Sequence, residues 1–473
     1  MNYRVKELLS NTLLFAIANM GSKILVFLMV PLYTAVLSTE EYGISDMVQT
    51  TAQMLMPILT AMIADAVLRF CFLQDVDRKN VFSIGIRLIF LGFCACVGLS
   101  ILFLFIPFFE SIGLFVLFIP VVFLSQSLIN LFHKFARGVG EVKVSAIAGL
   151  LSTSVVIVLN LLFLLVFKWG IIGYLLAYSI ADILSVVYIA YKCKATQYWT
   201  NVVDKNLLNQ MTAYSLPLIP NQISWWALSS INRYIMLAWC GIGAVGIYSA
   251  TLRIPSILTV LADIFAQAWL LSALKDYGTD ESKRFISSMH SKYFSLLILV
   301  TSIIILLSYP LASILLTGDF SSYWWVSPFL FISVFWGALV GFLGSIFSAE
   351  RKNKMQFIST IIGALVSILI TILFIREYGV IVVAIATWAG YFIIWLVRRV
   401  SVNQFIDLEI STISAVVQGS ILLVQAVFVK HEFYTYAILC TLLLAILNYK
   451  NLVPIIRFAI DTIKENKNKF TKQ

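Results

Sequence analysis

The stretch VKVSAIAGLLSTSVVIVLNLLFLLVFKWGIIGYLLAYSIADILSVVYIAYK, Val142 to Lys192, holds two apolar runs parted by Lys168, Trp169 and Gly170. Each run reaches the roughly 20 residues that a helix needs to cross the hydrocarbon core of a bilayer. Lipid offers no partner to backbone N–H and C=O groups, so a spanning segment must satisfy its own hydrogen bonds, as a helix does. The pair reads as two transmembrane helices with Lys143 and Lys192 on one side and Lys168 on the other. The expected fold class is all-α and integral to the membrane.

The rest of the chain repeats this pattern. Of its 473 residues 61% are hydrophobic and 12% charged, against about 45–50% and about 25% in an ordinary soluble domain. On a template of about 20 residues, spans are expected to start at Thr12, Gly43, Val81, Gly113, Val144, Ile171, Thr212, Ala244, Lys292, Trp324, Met355, Gly379, Ile410 and Phe433, about fourteen in all. Arg4 and Lys6 precede a first stretch, Asn11 to Leu37, that is too long for a signal h-region and has no small-residue cleavage pattern, so it reads as a retained helix.

The net charge of +10 is a topology signal, not a sign of nucleic-acid binding, because the basic residues lie in short segments between apolar runs. With the N-terminus in the cytoplasm, most of the 33 Lys and Arg fall inside, among them Arg78, Lys79, Lys134, Arg137, Lys205, Lys352, Arg398, Arg399 and the tail cations after Lys450. Outside fall Lys168, Arg376 and Lys430. This asymmetry orients both termini to the cytoplasm. No connecting segment is large enough to be a domain. After Lys450 the tail, 451–473, reads as an amphipathic basic helix suited to anionic lipid.

An ionised group at mid-bilayer costs about 2.5–3.5 kcal/mol on insertion scales, so it faces a cavity or a partner. Lys23 stands near the middle of the first span with Thr12, Asn19 and Ser22 near it. Asp46, Gln49, Gln53 and Thr60 make a stripe on the second, and Pro57 is available there as a kink. Span seven carries Gln222, Trp225, Ser229, Asn232 and Arg233 after Pro217 and Pro220, which should loosen its inner third. Span eight carries Ser249, Arg253, Ser256, Asp263 and Gln267. Local pairing of Asp65 with Arg69 or Arg87, and of Arg253 with Asp263, is the structural alternative to a cationic cavity. A short echo, GIS at Gly43 to Ser45 and GIY at Gly246 to Tyr248, falls six helices apart. An even separation preserves direction and implies halves related by an axis along the membrane normal.

The six cysteines have neither zinc nor disulfide spacing and read as packing residues. The three histidines form no ligand set. No phosphate-cradling loop or catalytic constellation is present, so neither a metal nor a cofactor is expected, and the chain reads as a carrier, not an enzyme.

Asn11-Thr12-Leu13-Leu14-Phe15 through Gly21-Ser22-Lys23, then Pro31-Leu32-Tyr33-Thr34, then LSTEEYGISD from Leu37 to Asp46, closely resembles the opening of bacterial polysaccharide flippases. These belong to the multidrug, oligosaccharidyl-lipid and polysaccharide exporter superfamily. The resemblance implies a V of two six-helix lobes, 1–200 and 201–408, around a central cavity, followed by spans 13 and 14 in 409–450. It also implies flipping of undecaprenyl-pyrophosphate-linked O-antigen or capsule repeat units across the cytoplasmic membrane.

Lys23, Arg233 and Arg253 are then the expected cavity cations. Asn19, Gln49, Gln53, Gln222, Ser229, Asn232, Ser249 and Ser256 are its polar lining, and Asp46 and Asp263 the candidates for a coupling proton or sodium ion. The expected partners are the lipid-linked oligosaccharide, membrane lipids and other polysaccharide-assembly proteins. The rivals are a multidrug exporter, whose cavity should be more acidic, and a membrane-embedded glycan polymerase or ligase, which needs a larger outer loop.

Overall fold

The computed structural model describes residues 25, 27–73, 75–262, 280–350 and 352–470, the side chains of 353 and 455–470 excepted. Every regular element among them is helical. Contacts divide the chain into two compact units. The first is Met1–Arg253 with Leu315–Phe320 and Thr371–Val380, and the second is Ile254–Ile314, Ser321–Ile370 and Ile381–Gln473. The first unit therefore extends past residue 200, where the expected lobe boundary falls.

In the first unit, α1 (Val30–Val36) leads into α2 (Thr39–Leu59). The LSTEEYG motif builds this junction: Ser38 Oγ accepts from the Glu41 N–H at 3.1 Å and the Ser38 N–H donates to Glu41 Oε2 at 2.9 Å. Such a reciprocal box satisfies two amides that a helix start leaves without partners. The helix breaks after Leu59 and resumes as α3 (Ile63–Cys71), bent by 57°. The break lies beyond Pro57, at Ala61 and Met62, whose φ values are 50° and 53°. Left-handed backbone costs a residue with a Cβ about 1–2 kcal/mol, so two in succession are held there by packing. Gly92 of α4 (Arg78–Phe103) permits it, for a Cβ at that position would lie 2.5 Å from the Leu59 carbonyl.

Helices α5 (Phe118–Gly138), α6 (Val142–Asn160) and α7 (Gly170–Lys192) complete the N-terminal array. The corner between α6 and α7 is turned by Lys168 and Gly170, with φ of 55° and 52°. At the opposite end Val67, Phe82, Leu131, Phe135, Ile189 and Met211 form one buried cluster. Asp65 pairs neither with Arg69 nor with Arg87 but with Lys134, at 2.6 Å. Arg69 instead lies 4.2 Å above the ring of Tyr214, and Arg87 donates to the carbonyls of Thr200 and Asn201. These partners come from other elements, which spacing along one helix does not reveal.

The expected seventh span is divided. After α8 (Lys205–Ser215) a tight turn, Leu216–Leu218, precedes α9 (Ile219–Cys240). Pro217 and Pro220 lack the amides that would carry one helix through. Then come α10 (Ile242–Thr251) and α11 (Ser256–Ala262), which together read as one bent span.

The second unit holds α12 (Asp280–Leu306), α13 (Ser308–Leu315) in all but its last residue, α14 (Ser327–Ala349), most of α15 (Asn353–Tyr378) and of α16 (Val380–Val402), α17 (Thr412–Lys430) and α18 (Tyr434–Phe470). Trp336 and Trp395 pack at a tilt in its core, ring centroids 4.6 Å apart. Gly419 gives the indole of Trp336 its space, since a Cβ would meet it at 2.4 Å. Arg398 and Arg399 are not loop cations as their sequence position implies. Both are buried near the C-terminal end of α16, Arg399 in its last turn. The Arg398 guanidinium donates to the carbonyls of Val340 and Gln356 and to the hydroxyls of Ser359 and Thr360, and Arg399 holds the carbonyl of Ile410 at 2.9 Å. Two polar layers tie α17 and α18 to α12. Gln425 joins Ser302 and Thr441, while Asn448 joins Ser295 and Gln418. Helix α18 continues through Pro454 into the basic tail without a break.

Among the described residues ten helices are long and apolar enough to cross a membrane, or twelve with each bent pair counted as one span. Their positions match the expected spans two to six and eight to fourteen. The first expected span lies largely outside the described residues, and α9 is the remaining one.

Candidate functional site

The site grows from a helix crossing inside the first unit. A Cβ on Gly43 of α2 would lie 2.2 Å from the Ile242 carbonyl, and one on Gly246 of α10 would lie 1.8 Å from the Thr39 carbonyl. Only glycine lets two backbones approach this closely. These two glycines are the ones that head the GIS and GIY echo.

One turn beyond Gly43, Asp46 meets Arg233 of α9, with Nε to Oδ2 at 3.3 Å and both side chains 12% exposed. Arg233 Nη1 also donates to the hydroxyls of Thr50, at 3.2 Å, and Ser230, at 3.3 Å. Trp226 Nε1 donates to the Thr50 carbonyl, and the hydroxyls of Thr51 and Tyr234 lie 2.8 Å apart. Thr50, Thr51, Trp226 and Tyr234 thus hold α9 against α2 around one ion pair.

Arg253, just beyond α10, is partly buried. It lies within electrostatic range of Tyr42, Tyr174, Tyr178 and Asp46. The tyrosines form a connected group. Tyr33 and Tyr174 pack edge to face at 4.9 Å, Tyr174 and Tyr178 lie 5.1 Å apart, and the Tyr33 hydroxyl accepts from Asn160 at 3.2 Å. Neutral hydroxyls and aromatic faces around guanidinium groups can bind a phosphate through charge-assisted hydrogen bonds and a sugar through stacking.

Of the other expected lining residues, Gln49 interacts with Tyr174, and Gln53 and Gln222 are exposed. Ser229 is exposed and bonds its own helix at Trp225 and Trp226. Asn232 and Ser249 are buried, and Ser256 is partly exposed. Lys23, Asn19 and Asp263 lie outside the described residues, so their surroundings are not part of this geometry. The tyrosines were not anticipated. Tyr174 and Tyr178, one turn apart on an apolar helix, are the signal that marks them. The cysteines are all free, and burial, then Glu141, pushes the thiol of Cys193 up to about 11, which leaves it protonated and inert.

This helix array is the fold of the multidrug, oligosaccharidyl-lipid and polysaccharide transporters. An inward-facing multidrug-resistance MATE transporter of the MOP superfamily superposes with a TM-score of 0.66 at 15% identity, covering 81% of this chain and 95% of the other. The lipid II flippase MurJ in an inward closed conformation gives 0.69 at 17% identity, over 93% and 100%. A MOP superfamily transporter from Pyrococcus furiosus, described by the reverse polarity of its binding pocket, gives 0.58 at 14%, over 83% and 95%. Within that class the chain belongs to the polysaccharide biosynthesis protein family, whose sequence pattern it matches over residues 8–274. A comparison with curated proteins gave no match.

Proposed function

We propose that this protein is a flippase carrying undecaprenyl-pyrophosphate-linked oligosaccharide repeat units from the cytoplasmic to the outer leaflet of a bacterial cytoplasmic membrane. The observation that carries this reading is the Asp46–Arg233 ion pair, 12% exposed on both sides and formed within the helix array, with Arg253 and a group of tyrosines in electrostatic range of it. Membership of a polysaccharide biosynthesis family and the fold of known transporters support it.

In this reading the sugars and pyrophosphate occupy the polar interior while the polyprenyl chain stays in lipid. The pyrophosphate competes with Asp46 for Arg233 and Arg253, and Lys23 adds a third cation. A carboxylate displaced in this way is free to take a proton or sodium ion, which gives Asp46 its coupling role, with Asp263 as the second candidate. Rocking of two six-span lobes, 1–200 and 201–408, changes the side to which the site opens, and the ligand shifts that equilibrium by its unequal affinity for the two states. Both termini lie in the cytoplasm. The protein acts as a carrier and breaks no bond.

Complementation of a strain lacking the gene tests the reading. Lys23→Ala and Arg253→Ala are expected to abolish surface polysaccharide with the protein still present in the membrane. Normal polysaccharide from both variants contradicts it, and drug resistance conferred by the wild type on overexpression favours the multidrug exporter instead.

A further inference from the structure

We propose that the Gly43–Gly246 crossing is the outer seal of the transport path, a backbone-to-backbone closure that parts when the carrier opens outward. The inference rests on the carrier reading above and on the orientation given by the basic residues, which sets the starts of α2 and α10 at the outer face.

The crossing is reciprocal. Each glycine abuts the carbonyl one helical turn ahead of the other, Thr39 before Gly43 and Ile242 before Gly246. The two helices also begin the same number of residues before their glycines, at Thr39 and Ile242. A contact in which each side presents the same feature to the other lies on a two-fold axis. The GIS and GIY echo therefore marks the point at which that axis passes between two helices, and no cavity can continue outward through it.

Position along the helices gives the crossing its role. Asp46 and Ser249 stand one turn inward of their respective glycines, and Thr50 and Arg253 a further turn, so the whole cationic cluster lies on the inner side. The physical character of the contact suits a seal that must open. At the two glycines backbone meets backbone, and the forces there are short-range packing and weak Cα–H···O contacts. Such a surface closes tightly and separates without stripping a buried charge of its partner.

Two arms test this in a variant whose native cysteines are replaced. In the first, Thr39→Cys with Gly243→Cys pins the crossing without altering either glycine of the contact. A Cβ at Gly243 lies 3.5 Å from Thr39 Oγ1, ordinary contact distance. Oxidation is expected to cut polysaccharide export to the level of cells lacking the gene, and reductant to restore it. Undiminished export by fully crosslinked protein overturns the proposal. In the second, Ser249→Cys is probed in intact cells with a membrane-impermeant maleimide. Labelling is expected to rise when Gly246→Val wedges the crossing apart and to vanish when the Thr39→Cys and Gly243→Cys pair is oxidised. Labelling that ignores both changes, in protein inserted at the parental level, overturns the seal. The second arm needs no substrate, so it reports on the seal even if the parent exports nothing, an outcome that would count against the proposed function alone.

Discussion

Two charged side chains that are each 12% exposed have lost most of their water, and Asp46 and Arg233 repay that loss to each other. Removing one partner of such a pair strands the other and typically costs about 3–5 kcal/mol, whereas replacing both with apolar groups is often close to neutral. Asp46→Ala and Arg233→Leu are therefore each expected to lower the thermal unfolding temperature in detergent, and the double variant to recover most of the loss. Additive losses would mean that the two residues do not depend on each other. Export is expected to stay absent in the double variant, because stability returns and the ligand's cation does not. Spacing alone places both residues on polar faces. It does not pair them, because the pairing joins α9 to α2 and periodicity speaks only for one helix at a time. The same limit hides the burial of Arg398 and Arg399, which read as loop cations and in fact hold carbonyls and hydroxyls of neighbouring segments.

Helix starts and breaks with a chemical signature are visible in the residues themselves. Ser38 and Glu41 cap α2, and Pro217 with Pro220 divides α8 from α9. The break between α2 and α3 is not visible, since Ala61 and Met62 take left-handed backbone that neither residue favours. Glycine adopts that conformation without the penalty. Met62→Gly is expected to leave the unfolding temperature unchanged or raise it, against the loss of about 1 kcal/mol that glycine causes inside a helix. A clear drop would show that the site carries no strain. The polar layers are equally silent in a hydropathy reading. Ser295 and Ser302, Gln418 and Gln425, and Thr441 and Asn448 each repeat one heptad apart, which sets both members of a pair on one helix face. Interhelical hydrogen bonds in membranes average about 0.6 kcal/mol, with about 1.7 as an upper value. Gln425 makes several, so Gln425→Leu should lower stability by about 1–2 kcal/mol, read as a shift in thermal unfolding. No shift would remove these layers as the tie between α12, α17 and α18.

Over the whole molecule the apolar pattern carries most of the information, and it is weakest where function concentrates. Helix α9 carries Gln222, Asn232 and Arg233, and it is the expected span that falls short of the apolarity of the others. A helix that holds a polar site gives up the hydropathy by which spans are recognised. Arg376 lies 3.6 Å over Trp239 and Lys430 lies 4.5 Å over Trp325. Cations set on tryptophan rings suit a headgroup boundary. The central claim is that the guanidinium groups of Arg233 and Arg253 receive the pyrophosphate of a lipid-linked glycan. It is tested most directly in proteoliposomes loaded with an undecaprenyl-pyrophosphate oligosaccharide, by following the glycan's accessibility to an external lectin or glycosidase. The wild type should transfer it between leaflets, and Arg253→Ala, at equal protein content, should not exceed protein-free vesicles. Transfer by Arg253→Ala at the wild-type rate would contradict the account.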